Sequence, residues 1–200
     1  MIAIIDYDAG NIKSVEKAFQ FLGADVVVSR DPEILLKADK VVLPGVGAFG
    51  DAMKRLDEYG LTSVIKEIVN KGTPFLGICL GLQLLFDSSE EAPGVEGLGI
   101  LPGKVVRFND HGLKIPQIGW NAIKLPRECA LFDGIKDGSF VYFVHSYYLV
   151  AENQNDVVAT TEYGDFVHAA VARDNVYACQ FHPEKSSAVG LKILSNFINL

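Results

Sequence analysis

Gly77-Ile78-Cys79-Leu80-Gly81 sets a cysteine between two apolar runs, Phe75 to Ile78 and Leu80 to Phe86. A buried strand turning sharply into a helix, with glycine two positions either side of the cysteine, is the context of a nucleophile elbow. The tight turn leaves no room for side chains on those neighbours. The start of the following helix favours a thiolate, and the Leu80 N–H points where an oxyanion would form. Taken alone, such a cysteine is as readily a small core residue. A second cluster decides between the two readings. Gln180-Phe181-His182-Pro183-Glu184 closes the strand-like run Val176 to Phe181, and residues two apart on an extended segment project to one side. Glu184 is then expected to hold the His182 imidazole in one tautomer while its other nitrogen faces Cys79. Cys79, His182 and Glu184 are thus the candidate nucleophile, base and orienting acid. Cys129 and Cys179 lack the flanking glycines and read as packing residues, and His111, His145 and His168 have no obvious acid–base partner.

The elements that must position these residues follow from the apolar pattern. Ile2 to Asp6, Val26 to Ser29, Val41 to Pro44 and Phe75 to Ile78 are short buried strands. Between them, Ile12, Val15, Phe19 and Leu22 recur at helical spacing, with Asn11 as the candidate cap and Gly23 past the end. Phe49, Met53 and Leu56, then Val64, Ile65, Ile68 and Val69, mark further helices. This alternation predicts an α/β fold with a central, mostly parallel sheet flanked by helices. After Pro102 the texture becomes β-branched and aromatic, which predicts an antiparallel β extension in the C-terminal half. Phe140 to Val144, Val157 to Thr161, Phe166 to Ala172 and Val176 to Phe181 are its strands, with hairpin turns at Gly164-Asp165 and Asp174-Asn175. Leu191, Leu194, Phe197 and Ile198 predict a closing helix.

Two hundred residues, 49% hydrophobic and 22% charged, fit one domain spanning residues 1–200. A net charge of −7 opposes binding to a phosphate backbone, so nucleic acid is not an expected partner. Three scattered cysteines fit neither a disulfide scaffold nor a metal cluster, and point to a reducing, cytoplasmic setting. Met1 to Asp6 reaches an acid with no basic stretch before it, so it reads as a strand rather than a secretory leader. Phe75 to Phe86 is too short and too interrupted to span a bilayer.

The elbow and His182-Pro183-Glu184 together resemble the class I, or triad, glutamine amidotransferases, over essentially the whole chain. A narrower resemblance rests on Pro44-Gly45-Val46-Gly47-Ala48-Phe49-Gly50, Cys79 to Phe86, Gly119-Trp120-Asn121 and His182-Pro183-Glu184-Lys185-Ser186. These four motifs, in this order, are similar to the glutaminase subunits of imidazole glycerol phosphate synthase, an enzyme of histidine biosynthesis. The resemblance implies that Gly45, Val46 and Gly47 form an oxyanion strand. Val46, Gly47 and Leu80 would supply N–H donors, and Gly45 would lie against the substrate. It further implies that Gln83, Glu91, Ser146 and Tyr147 hold the amino-acid end of L-glutamine. Glu91 suits the ammonium, and Gln83 with backbone groups suits the carboxylate. Asn11, Trp120, Tyr142 and Lys185 match positions at a partner interface. One departure is Asp6-Tyr7-Asp8-Ala9-Gly10, where the family often carries Asp-Tyr-Gly, so the local loop is expected to differ.

The implied chemistry is attack of the Cys79 thiolate on the glutamine side-chain amide, with His182 shuttling the proton and the γ-glutamyl thioester then hydrolysed. It requires no metal and no organic cofactor. The acceptor chemistry would belong to a (β/α)8-barrel cyclase in a heterodimer. That partner uses the ammonia to make imidazole glycerol phosphate and aminoimidazole carboxamide ribonucleotide. A rotating peptide in Gly45-Val46-Gly47 is the expected switch by which the partner controls turnover. Competing readings are a glutaminase for another synthase, a subunit that has lost turnover, and a stand-alone cysteine hydrolase. Pro44-Gly45-Val46-Gly47 speaks against the first, and the intact triad against the second.

Overall fold

The computed structural model describes all residues, 1–200. The N-terminal half alternates β1 (Ile2–Ile5), α1 (Ile12–Phe21), β2 (Val26–Ser29), α2 (Pro32–Lys37), β3 (Lys40–Leu43), α3 (Phe49–Glu58), α4 (Leu61–Asn70), β4 (Phe75–Ile78) and α5 (Leu80–Leu84). The remainder is mostly strand: β5 (Ser88–Ser89), β6 (Gly103–Arg107), β7 (Gln117–Ala122), β8 (Phe140–His145), β9 (Tyr147–Ala151), β10 (Val157–Tyr163), β11 (Asp165–Arg173) and β12 (Val176–Cys179), closed by α6 (Ser187–Ile198). The α/β class and the closing helix agree with the sequence pattern.

Seven strands form the main sheet in the order β10-β11-β12-β4-β3-β1-β2. Strands β12, β4, β3, β1 and β2 run parallel, while β11 and β10 continue it antiparallel through two hairpins. The parallel strands are apolar throughout because both faces are covered. Alternate residues go opposite ways: Ala3, Ile5, Val41, Leu43 and Phe75 pack with α3 and α4, and Ile2, Ile4, Val42, Leu76 and Ile78 pack with α1 and α6. Two smaller sheets, β5-β6-β9 and the ribbon β7-β8, lie beside it.

Three findings correct the sequence reading. Strand β12 has the texture of the antiparallel extension, yet it pairs in parallel with β4, Cys179 opposite Ile78. That pairing brings the segment after β12 beside the elbow after β4. The apolar run Leu80 to Phe86 is helical only to Leu84. Helix α2 was not anticipated, although Asp31 accepts from the Glu33 N–H at 2.9 Å and Pro32 takes the first helical position, two ordinary start signals.

Candidate active site

Cys79 occupies the turn between β4 and α5 at φ 54 and ψ −106, a conformation that costs a non-glycine residue on the order of 1–3 kcal/mol. The neighbours show why the flanking glycines are needed. A Cβ on Gly77 would sit 2.8 Å from the Gly81 carbonyl oxygen, and one on Gly81 would sit 1.9 Å from that of Leu43. The turn is tied to the adjacent strand by the Cys79 N–H, which donates to the Cys179 carbonyl at 2.7 Å. Since α5 has only five residues, its dipole gives a thiolate limited support.

His182 Nδ1 lies 2.8 Å from Glu184 Oε1, and both side chains are sealed from solvent. The sequence expectation of this pairing holds, but its local geometry differs. Pro183–Lys185 is a turn of 3-10 helix, so Glu184 folds back onto the ring instead of projecting beside it from an extended segment. Backbone bonds fix the histidine: its N–H donates to the Tyr142 carbonyl at 2.9 Å, and its carbonyl accepts from Ser186 Oγ at 2.6 Å. His182 Nε2 lies beside Cys79 without a hydrogen bond of ordinary geometry; it and Glu184 Oε2 are the buried side-chain polar atoms left unpaired. Burial alone would pull the imidazole down, but Cys79 and Glu184 outweigh it and raise His182 to about 9. A proton taken from Cys79 therefore has a stable seat on this ring.

A cleft of about 280 Å3 opens over Cys79, lined by Val46, Gly47, Leu80, Gln83, Glu91, His145, Ser146 and Tyr147 among others. The residues expected to bind glutamine are thus gathered around the candidate nucleophile, with Gly45 packed behind the cleft against the Tyr7 hydroxyl. Two of them are already engaged. Glu91 Oε2 accepts from the Phe49 N–H at 2.8 Å, leaving its other oxygen for a ligand. Gln83 Nε2 donates to the Tyr147 carbonyl and to Gln180 Oε1, both at 3.1 Å. Both its hydrogens have acceptors, so Gln83 offers a ligand only its carbonyl oxygen and does not suit the carboxylate role expected of it. A larger groove of about 1000 Å3, lined by residues such as Cys129, Asp133 and Asn196, contains none of the candidate residues.

The oxyanion side departs from expectation in one respect. The Leu80 N–H is directed at the Gly45 carbonyl, 3.4 Å away, rather than standing open. Gly47, at φ 116, adopts a backbone conformation that residues with a Cβ rarely enter, and Val46 and Gly47 are both exposed.

Trp120 and Tyr142 face each other across the β7-β8 ribbon, rings edge to face at 6.1 Å. Trp120 is 52% exposed, and Ile118 and Phe140 on the same face are exposed as well, so ordinary core packing does not account for this tryptophan. Lys185 is exposed too. Asn11 does not fill the capping role expected of its side chain. It sits at the start of α1 in a left-handed conformation without capping the helix, and its Nδ2 donates to Glu184 Oε1 at 2.5 Å. Its amide is turned toward Glu184 and His182, and the residue is half-buried.

The loop that departs from the family pattern is clamped. Arg30 bridges Asp6 at 2.8 Å and Asp8 at 2.6 Å, and Arg55 donates to the Asp8 carbonyl at 2.7 Å. Gly10 beyond it lies against Val46: an added Cβ would be 2.7 Å from Val46 Cγ2. His111 also has a partner the sequence did not reveal, Asp165 at 3.0 Å. Sequence reasoning assigned no role to Tyr7, whose hydroxyl donates to the Pro44 carbonyl at 2.7 Å, or to Gln180, whose Nε2 lies 3.7 Å from Cys79 Sγ. Gln180 belongs to the quoted motif, but its contact joins residues far apart in the chain.

Against this geometry, the comparisons with known proteins are specific. The sequence matches the family Glutamine amidotransferase class-I over residues 3–200. A solved glutamine amidotransferase superposes with a TM-score of 0.78 at 21% identity, covering 100% of this chain and 98% of that one. The glutaminase domain of Trypanosoma brucei CTPS, with bound acivicin, gives 0.68 at 16% identity over 99% and 93%. These two show the shared fold. The chain belongs to the class-I glutamine amidotransferases. Among its relatives, the imidazole glycerol phosphate synthase subunit HisH of Syntrophotalea carbinolica is 53% identical over 98% of both chains. The subunits of that name from Aquifex aeolicus and Methanocaldococcus jannaschii are 53% identical (97% of this chain, 94% of that one) and 50% identical (100% of both).

Proposed function

We propose that residues 1–200 act as one glutaminase unit, the HisH-type subunit of an imidazole glycerol phosphate synthase, releasing ammonia from L-glutamine for a cyclase partner in histidine biosynthesis. One observation carries the chemistry: at the foot of an open cleft, a strained cysteine meets a buried imidazole whose far nitrogen is held by a carboxylate. Glu184 fixes the Nδ1–H tautomer, which leaves Nε2 as the base toward Cys79. The thiolate attacks the carboxamide carbon of glutamine, and His182 returns the proton to the leaving nitrogen so that ammonia departs. Water, deprotonated by the same ring, then cleaves the thioester to glutamate and restores the thiol. Every proton in the cycle passes through His182, so no step calls for a metal or an organic cofactor.

The oxyanion donors are the controlled part. With the Gly45 carbonyl turned toward the Leu80 N–H, the developing negative charge would meet an oxygen. Rotation of the Gly45–Val46 peptide would replace that carbonyl with the Val46 N–H and complete the hole. The partner is a (β/α)8-barrel cyclase, docked on the exposed Ile118, Trp120, Phe140 and Tyr142 face with Lys185 nearby, so that ammonia is made only when an acceptor is bound. A cytoplasmic setting fits this role, and no helix is long and apolar enough to cross a membrane.

The test is to mix the chain with a candidate cyclase and its nucleotide substrate and follow glutamate and imidazole glycerol phosphate together. Stoichiometric formation of both, with slow glutamate release from the chain alone, is the expected result. Full glutaminase activity in the isolated chain, unchanged by partner and nucleotide, would overturn the control mechanism. Product formation from glutamine only with a different synthase would overturn the pathway.

A further inference from the structure

We propose that Gln180 donates a hydrogen bond to the sulfur of Cys79, and that Gln83 sets the direction in which it donates. The proposal rests on the reading of Cys79 as nucleophile. Gln180 follows β12, its N–H bonded to the Ala169 carbonyl at 2.8 Å, and its side chain has no access to solvent. Its Nε2 lies 3.7 Å from Cys79 Sγ and its Oε1 lies 3.1 Å from Gln83 Nε2.

Amide nitrogen and oxygen have nearly the same shape, so their placement must be argued from their partners. One atom settles both amides. The Tyr147 carbonyl oxygen can only accept, and Gln83 approaches it at 3.1 Å, so the atom of Gln83 facing it is the nitrogen. The second hydrogen of that nitrogen points at Gln180, whose facing atom must then be its oxygen. The nitrogen of Gln180 is left against the sulfur. Turning Gln83 over would set oxygen against oxygen at Tyr147, and turning Gln180 over would set nitrogen against nitrogen at Gln83. His145 Nδ1 donates to the same Tyr147 carbonyl at 2.8 Å, which holds the anchoring oxygen in place from a second direction.

The chemical consequence is selective. An N–H donor binds a thiolate more strongly than a thiol, so a fixed amide here favours the charged form. Cys79 is buried, and a buried anion needs compensating donors. Gln180 supplies one that five residues of helix do not.

The experiment follows alkylation of Cys79 by iodoacetamide in the full chain, read by mass spectrometry on its own peptide so that Cys129 does not interfere, across neutral to alkaline pH. In Gln180→Met, which keeps the side-chain length and removes the donor, the rate at pH 7 is expected to fall roughly tenfold. It should converge on the wild-type rate in alkali, where the thiol ionises in either protein. Gln180→Glu keeps an acceptor for Gln83, but a carboxyl ionises before a thiol, so the sulfur then faces an anion and the loss at pH 7 is larger. This variant decides the matter if Gln180→Met fails to fold. Unchanged pH profiles, or slowing by the same factor at every pH, would overturn the proposal. Glutamine added to the wild type checks the reading underneath. Protection of Cys79 there, with unchanged profiles in the variants, defeats only the role of Gln180, whereas no protection defeats the nucleophile assignment itself.

Discussion

On one side of the cleft over Cys79, Cys79 and His182 are each tied to a neighbouring strand by a backbone N–H, at 2.7 and 2.9 Å. On the other, the backbone of Gly45, Val46 and Gly47 makes a single long bond, 3.4 Å from the Gly45 carbonyl to Leu80, and two of the three residues are exposed. The proposed nucleophile and base are therefore positioned by folding itself, whereas the groups that would stabilise the transition state are left free to take more than one arrangement. Control of turnover can then act on the second side without disturbing the first.

The largest expected effect tests the fixed side. Cys79→Ala should lower glutamine hydrolysis by the complex at least roughly 10^4-fold while synthesis from added ammonia continues, measured as glutamate and product formation. Collapse of both would make Cys79 a structural residue. Glu184→Gln should lower kcat about 100-fold with KM little changed, since the neutral amide no longer favours the imidazolium or its productive tautomer. Asn11→Ala, which removes a bond to the same Oε1, should lower it about tenfold, and wild-type kcat there would dismiss Asn11 as a positioning residue. Trp120→Ala probes the proposed docking face: calorimetric titration should show cyclase binding about 30-fold weaker, as for a hot-spot aromatic, at an unchanged melting temperature.

Gly47→Val probes the loose side. At φ 116 a β-branched residue is strained although the space around Gly47 is empty, so partner-stimulated kcat should drop about tenfold with KM within about twofold. An equal loss of glutamine affinity would mean that this segment binds ground state and transition state alike. The smallest signal is the pH dependence that His145 contributes to stability. Burial holds His145 down at about 4, despite its bond to the Tyr147 carbonyl, so below its ordinary value of 6.5 the unfolded chain takes up a proton that the folded chain refuses. This contribution is fully present above pH 6.5 and declines toward pH 4; between pH 7.5 and 6 its loss should be about 1 kcal/mol or less. Urea unfolding of the wild type and of His145→Gln should show this loss as the difference between the two proteins at each pH, since over the same range His168, also held down by burial, adds to it and His182, raised to about 9, opposes it.

What was legible in the sequence was local. The elbow announces itself because Gly77 and Gly81 flank Cys79 on a strand-to-helix turn, and the hairpins on either side of β11 because their turns contain Gly164 and Asp174. The parallel docking of β12 on β4 was not legible, since an apolar strand of four residues shows no preference for either neighbour's direction. Nor was the environment of Asn11, because a residue suited to cap its own helix can be taken by a carboxylate 173 positions away. Trp120 illustrates the same limit: its residue type suits a core or an interface equally, and only the bare face of the β7-β8 ribbon distinguishes them.

The contact behind the Gly45-Val46-Gly47 segment has a consequence for how such a sequence can vary. Tyr7 donates its hydroxyl to the Pro44 carbonyl, and a Cβ on Gly45 would lie 2.1 Å from that same oxygen. Burial pushes the phenol far up, so it remains a neutral donor at any physiological pH. Positions 7 and 45 are therefore epistatic. Alanine at 45 is closed while tyrosine stands at 7, and phenylalanine at 7 opens the space but leaves the Pro44 carbonyl without its donor. Neither single step is neutral, so the pair is expected to be inherited as a unit, and drift at Gly45 is restrained by a buried residue at the first strand's exit that does not line the cleft.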